Sequence, residues 1–307
     1  MASLGKQEAS LAAALAMMAV WGCNFAVTKY ILALMGVGSF LFLRFLVMLV
    51  LGAALLAFVY RRHLSQAVPR REDLARFAAA GILGHTLHVG IVMRGIDLST
   101  AFSSSVVLTS SPLFTLLMLA AMGAERLHRR QIAGTLVAFV GIALFLSDKF
   151  ARGLAQAGFG DLALIAASAL FSLYTIISKP LVERYGPLML LCWTLFFGAP
   201  PLLLVCLPAF VATPLASQPA ALWPALAWAV LVSSFLGWLV WVWVNAVRGI
   251  ARTAPLQYVM PPIAGLVAWV TLGEHFTWLK IGAAAIAIAG VAWAQLGARP
   301  TAQVDSA

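Results

Sequence analysis

The sequence is written twice. Pro112, Glu125, Ile132 and Gly141 recur as Pro261, Glu274, Ile281 and Gly290, 149 positions on and with every internal spacing kept. Upstream, Thr28, Lys29 and Gly36 recur as Ser178, Lys179 and Gly186 at an offset of 150. The chain therefore divides into two tandem units, residues 1–150 and 151–307, and each must build the same set of elements. If each unit crosses a membrane an odd number of times, the second enters from the opposite face and the pair forms an inverted-topology repeat.

Composition puts this repeat in a membrane. The chain is 63% hydrophobic and 10% charged, with a mean hydropathy of +0.98, whereas soluble domains are about a quarter charged. A spanning helix needs about 20 mostly apolar residues. Ten runs qualify: Ser10 to Leu32, Ser39 to Tyr60, Leu74 to Met93, Leu98 to Met122, Gln131 to Leu146, Leu162 to Lys179, Leu188 to Phe210, Leu222 to Val247, Ala254 to Leu272 and Trp278 to Gln295. The expected fold is an all-α integral membrane protein, with ten transmembrane helices in two inverted five-helix repeats.

The formal charge of +10 is not a nucleic-acid signal, because the basic residues sit in short clusters between apolar runs rather than on one solvated face. With the N-terminus inside, fourteen of the twenty Lys and Arg fall on the inner side, Arg61, Arg62, Arg70, Arg71, Arg129 and Arg130 among them. Lys29, Arg94, Lys149, Arg152 and Lys280 fall on the outer side and Arg44 within a span. This asymmetry predicts both termini in the cytoplasm. The first apolar run continues through Phe25 to Val27 without a small-x-small cleavage site, so it reads as a retained helix.

The loops leave no room for a folded domain outside the bilayer, which argues against most enzymes. No Walker A, His-Glu-x-x-His or nucleophile-elbow pattern is present. Cys23, Cys192 and Cys206 lie in apolar runs without metal-ligand spacing and read as small hydrophobes. No cofactor and no metal are expected.

Trp21-Gly22 with Asn24-Phe25, Arg44 on the second span, Pro112 through Glu125-Arg126, and the second copy from Pro261 through Gly273-Glu274 to Gly290 resemble the drug/metabolite transporter superfamily, specifically its ten-helix EamA-type exporters. The resemblance covers nearly the whole chain in two copies. It implies a central cavity and export of small metabolites, such as amino acids or amphipathic drugs, by alternating access; aromatic-amino-acid exporters belong to the family. The second unit departs from the family's opening pattern, with Phe171-Ser172 where Trp21-Gly22 would stand and Thr194 opposite Arg44.

Polar groups in the hydrocarbon layer are costly and face the bundle interior or a wet cavity. His85 and His88, at i and i+3, share a helix face with Gly81, Gly84 and Val92. They could bind a substrate carboxylate, relay a proton, or bond the serines of the next helix. Ser103, Ser104, Ser105, Thr109, Ser110 and Ser111 precede Pro112, which predicts a kink with freed carbonyls; hydroxyls such as Ser104 and Thr109 could bind substrate or serve helix packing. Trp21, Asn24, Tyr174 and Tyr258 fall on spans that the resemblance places around the cavity, where rings could stack an aromatic or cationic substrate. Trp238, Trp241 and Trp243 are read as facing lipid or packing neighbours.

Arg44 could snorkel, attract an anion or tie helices together, the structural role being favoured. Lys29 and Lys179 complement helix C-termini, Glu125 and Glu274 cap free N–H groups before the fifth and tenth spans, and Pro112 and Pro261 are hinge candidates. All ten carboxylates lie in loops or at span ends, so the usual acidic proton or sodium carrier is missing. The expected function is gradient-driven secondary transport of aromatic or large neutral amino acids, with a small-molecule substrate and the lipid bilayer as partners, and no nucleic acid. A histidine is the remaining candidate for proton coupling. Two rivals are a phosphorylated-sugar or nucleotide-sugar antiporter, which needs several cavity cations, and a non-transporting membrane protein.

Overall fold

The computed structural model describes residues 2–123, 128–151, 156–249 and 253–296. Among these residues the fold is all-helical, without strands, as a bilayer requires of chains that satisfy their backbone groups within each segment. Six of the helices are long and apolar enough to cross a membrane. Glu125 lies outside the described residues.

The first helix, α1 (Ala2–Val59), is twice the length of a single crossing because it doubles back at Gly36, whose φ of 73° and ψ of 168° are open to glycine alone. The two arms lie side by side: Lys29 before the turn bonds the Ile96 carbonyl, and Arg44 after it reaches the sulfur of Met93. The helix α2 (Arg71–Leu98) carries a π-helical stretch over Ile82–Val89. Next, α3 (Ala101–Leu108) and α4 (Ser111–Ala121) form one broken span, and α5 (Arg129–Ala151) closes the first unit.

The second unit repeats the sequence of devices. Helix α6 (Gln156–Ala212) doubles back at Gly186, with φ 79° and ψ 171°, and α7 (Leu222–Arg248) carries a π stretch over Trp228–Leu236. A 3-10 turn over Ala254–Val259 leads into α8 (Met260–Leu272), and α9 (Trp278–Leu296) follows.

Small residues set the closest packing. Along α5 and α9, a Cβ at Gly134 would meet backbone at Ala294, one at Gly141 Ala287, and one at Gly290 Ala138, so the two helices run antiparallel with backbones touching. The second arms of α1 and α6 are antiparallel too: Gly38 lies by Ala209, Phe42 stacks on Phe210 at 4.4 Å, and Gly52 faces Cys192. Both pairs occupy matching positions in the two sequence copies. Outward-facing side chains such as Val50, Leu204, Val205, Leu266 and Val270 are exposed and apolar, the surface that a lipid solvent favours.

The fourth span differs from the sequence reading in two ways. Leu98 ends α2, so the fourth span begins at Ala101 rather than at Leu98, with the Thr100 hydroxyl accepting from the Ser103 amide. The fourth span also breaks at Thr109-Ser110, and Pro112 stands in the first turn of the resumed helix, where its missing N–H leaves no bond unmade. Pro261 sits likewise at the start of α8.

Candidate functional site

A cavity of about 140 Å³ lies among α1, α2, α3, α4, α6, α7 and the start of α8. The first arm of α1 contributes Trp21, Asn24, Phe25 and Thr28, its second arm contributes Arg44, and α2 contributes His88, Val92 and Met93. Phe171, Ser233, Trp238, Trp241, Ser111 and Gln257 close the rest of the wall. A smaller cleft continues past Ser111, Pro112, Phe171, Trp241 and Gln257 to Thr115, Thr175 and Asn245.

The rings form an interlocked wall. Trp21 and Trp241 approach to 5.5 Å between centroids, and Trp238 meets Phe171 edge-on at 6.1 Å. The Trp21 indole N–H donates to the Ser233 carbonyl at 2.9 Å. Ser233 lies within the π stretch of α7, a geometry that interrupts the regular helical ladder and is frequent at functional sites. Of the two alternatives read from the sequence, lipid or packing neighbours, Trp238 and Trp241 take the second, buried at 7% and 5% exposure against other rings, and they also line the cavity.

The polar wall is sparse. Asn24 Nδ2 donates to Thr28 Oγ1 at 3.1 Å, and Asn24 Oδ1 is buried without a partner. The His88 ring donates from Nδ1 to the Ala167 carbonyl at 2.9 Å, which fixes its neutral tautomer and leaves Nε2 as an acceptor. Arg44 is 6% exposed; Nη1 approaches Met93 Sδ at 4.0 Å and Nε has no partner. Among the described residues, Arg44 is the sole Lys or Arg on the wall, and no Asp or Glu lines it.

Of the residues singled out from the sequence, Trp21, Asn24, His88 and Arg44 face the cavity, and Pro112 faces its continuation. His85 stands behind the wall, its Nε2 3.0 Å from Thr194 Oγ1 and its ring packed at 4.9 Å from Trp238. Tyr174 packs against Gly84 and His85. Ser104 donates to the Thr100 carbonyl and Thr109 to the Val106 carbonyl, so both hydroxyls serve their own helix. Tyr258 packs against the cluster of Leu113, Leu116, Ala138 and Val291. Thr28, Ser233 and Gln257 complete the wall, and no sequence signal separates them from other hydroxyl and amide residues in the spans.

The gating candidates sort to the bundle's ends. Lys29 Nζ donates to the carbonyls of Ile96, Asp97 and Ser99 at 3.1, 3.0 and 2.8 Å, capping α2 rather than its own helix. Glu274 accepts from the Ala101 and Phe102 amides at 2.7 and 3.3 Å, so it caps α3 and not the helix that follows it. Asp161 accepts from the Ser99 and Ser103 hydroxyls. At the opposite end Arg184 pairs with Asp73 at 2.7 Å and Tyr185 donates to the same carboxylate. Lys179, the counterpart of Lys29, is exposed.

The EamA-like transporter family matches residues 9–147 and again residues 158–295. The chain belongs to the EamA-like transporter family. It is accordingly a multi-pass membrane transporter of small molecules, and not an enzyme. Similar proteins include a probable terminal-alkyne amino-acid exporter of Streptantibioticus cattleyicolor, 31% identical over 73% of each chain. Another is a probable amino-acid metabolite efflux pump of Salmonella typhimurium, 26% identical over 61% of this chain and 65% of its own. A solved crystal structure, 20% identical, overlays 96% of this chain and 99% of its own with a TM-score of 0.66, which places the two in one fold.

Proposed function

We propose that this EamA-family transporter is a secondary carrier that exports aromatic and large neutral amino acids across a bacterial inner membrane. In this reading ten spans form two oppositely oriented five-helix halves, residues 1–150 and 151–307, with both termini in the cytoplasm. The halves rock about the cavity so that it faces each side in turn. The observation that carries the substrate assignment is the wall of Trp21, Phe171, Trp238 and Trp241, which can sandwich a flat or bulky apolar side chain. The amino-acid exporters among its relatives add independent support.

A phosphorylated-sugar antiporter fits less well. Neutralising phosphate takes several convergent cations, whereas Arg44 is the one Lys or Arg among the described residues of the wall and Lys29 is engaged by three carbonyls. Among the described residues no carboxylate lines the cavity, which favours facilitation down the substrate gradient over carboxylate-borne proton exchange. Purified protein in liposomes should exchange labelled phenylalanine or tryptophan far faster than empty vesicles, with little change when a pH gradient is imposed. Equal rates with and without protein refute the carrier reading.

A further inference from the structure

We infer that Arg44 and Asn24 form a head-group clamp in the cavity, Arg44 taking the substrate's carboxylate and Asn24 its ammonium, so that admission requires both charges on one solute. The inference rests on the proposed carrier reading and adds to it the chemical condition for entry. It begins from two polar groups left incomplete. Arg44 is a cation at 6% exposure whose guanidinium carbon lies 5.8 Å from the centroid of the Phe45 ring, whose one described polar neighbour, Met93 Sδ at 4.0 Å, is a weak acceptor, and whose Nε is unpaired. A buried guanidinium without a counter-charge costs several kcal/mol, and a planar carboxylate supplies two acceptors in the geometry its fork prefers.

Asn24 presents the complementary deficit. Its Nδ2 is bonded to Thr28, while Oδ1 is buried and accepts nothing. His88 adds a second acceptor, because its Nδ1–H is directed to Ala167 and its other ring nitrogen carries a lone pair. Donors without acceptors and acceptors without donors thus line one cavity whose remaining wall is mostly aromatic and aliphatic, with Ser111, Ser233 and Gln257 as its other polar members beside Thr28. A zwitterionic head completes both sets and remains electrically neutral overall. A monoamine or quaternary ammonium brings a second positive charge beside Arg44 and meets no carboxylate on the wall, so the site rejects organic cations that its rings alone would accept.

The test uses the full chain in liposomes loaded with L-phenylalanine, following counterflow of labelled L-phenylalanine. Competitors are unlabelled L-phenylalanine, L-alanine, phenethylamine, which lacks the carboxylate, and phenylpropionate, which lacks the ammonium. L-phenylalanine should compete at concentrations at least about thirtyfold below either truncated analogue, as expected when a charged partner is left unmatched. Arg44→Gln should raise the KM for phenylalanine by at least about tenfold while inhibition by phenethylamine holds or strengthens, which a misfolded variant would not do. Asn24→Ala should weaken phenylalanine but leave phenylpropionate unchanged. Phenethylamine competing as well as phenylalanine in the wild-type protein overturns the clamp. If phenylalanine is not moved but L-alanine is, and only with both charges present, the clamp stands and the aromatic assignment falls; if no solute bearing both charges is moved, both fall.

Discussion

His85 and His88 stand one turn apart on α2, and Thr194 and Ala167, the groups that hold them, decide which reaches the cavity. His85 is locked between Thr194 and the ring of Trp238, so His85→Ala should lower unfolding stability by about 1–3 kcal/mol through the unfilled site, the Thr194 hydroxyl keeping its bonds to the Leu190 and Leu191 carbonyls. Transport KM per folded molecule should stay within about twofold, as a thermal-shift assay paired with liposome uptake would show. His88→Ala should do the reverse, raising KM with a smaller loss of stability. The sequence reveals that both histidines share a helix face, but their separation depends on neighbours from α6 that no local spacing encodes. The hydroxyl-rich stretch before Pro112 teaches the same lesson. Ser104 and Thr109 sit in a polar pattern that suggests a wet lining, yet each bonds a carbonyl of its own helix, and Ser172 reaches the Ser111 carbonyl from α6. Ser104→Ala should therefore leave transport nearly unchanged.

At the scale of elements, the reversals at Gly36 and Gly186 were already marked by the repeated Lys-x6-Gly spacing in the two copies. What spacing does not disclose is that each glycine holds a backbone conformation closed to other residues. Gly36→Ala and Gly186→Ala should each cost about 1–3 kcal/mol, and similar falls in thermal midpoint for the two would reflect their shared geometry. The Lys29 end of the bundle is tied by Lys29, Glu274 and Asp161 to the junction of α2 and α3. Lys29→Met frees three carbonyls at once, so a cysteine placed at Thr100 should label faster with a membrane-impermeant maleimide. An unchanged labelling rate would mean that these bonds do not hold this end shut. The sequence exposes the acidic and basic residues concerned but not their partners, because Glu274 and the Ala101 amide it binds are 173 positions apart.

For the molecule as a whole, the pairing of charged groups separates two ends: Lys29, Asp97, Ser99, Asp161 and Glu274 at one, Gln7, Asp73, Arg184 and Arg248 at the other. Clusters of charge are contiguous in the sequence, whereas the cavity wall is assembled from side chains on seven helices, so the ends of the helices were more legible than the identity of that wall. Single cysteines at Arg62 and Arg184 should be shielded from an impermeant reagent in intact cells, and one at Gly273 should be modified; the opposite pattern would reverse the assigned orientation. The seam between α5 and α9 carries a separate mechanical meaning. Because glycine and alanine bring the two backbones into contact there and Ile142, Phe145 and Leu146 pack on Ala283, Ala284 and Ala287, a change of register would break both sets of contacts, and the seam should behave like the spine of a book while the pages turn. Spin labels at Leu136 and Ile286, exposed on either side of it, should keep one separation throughout the working cycle.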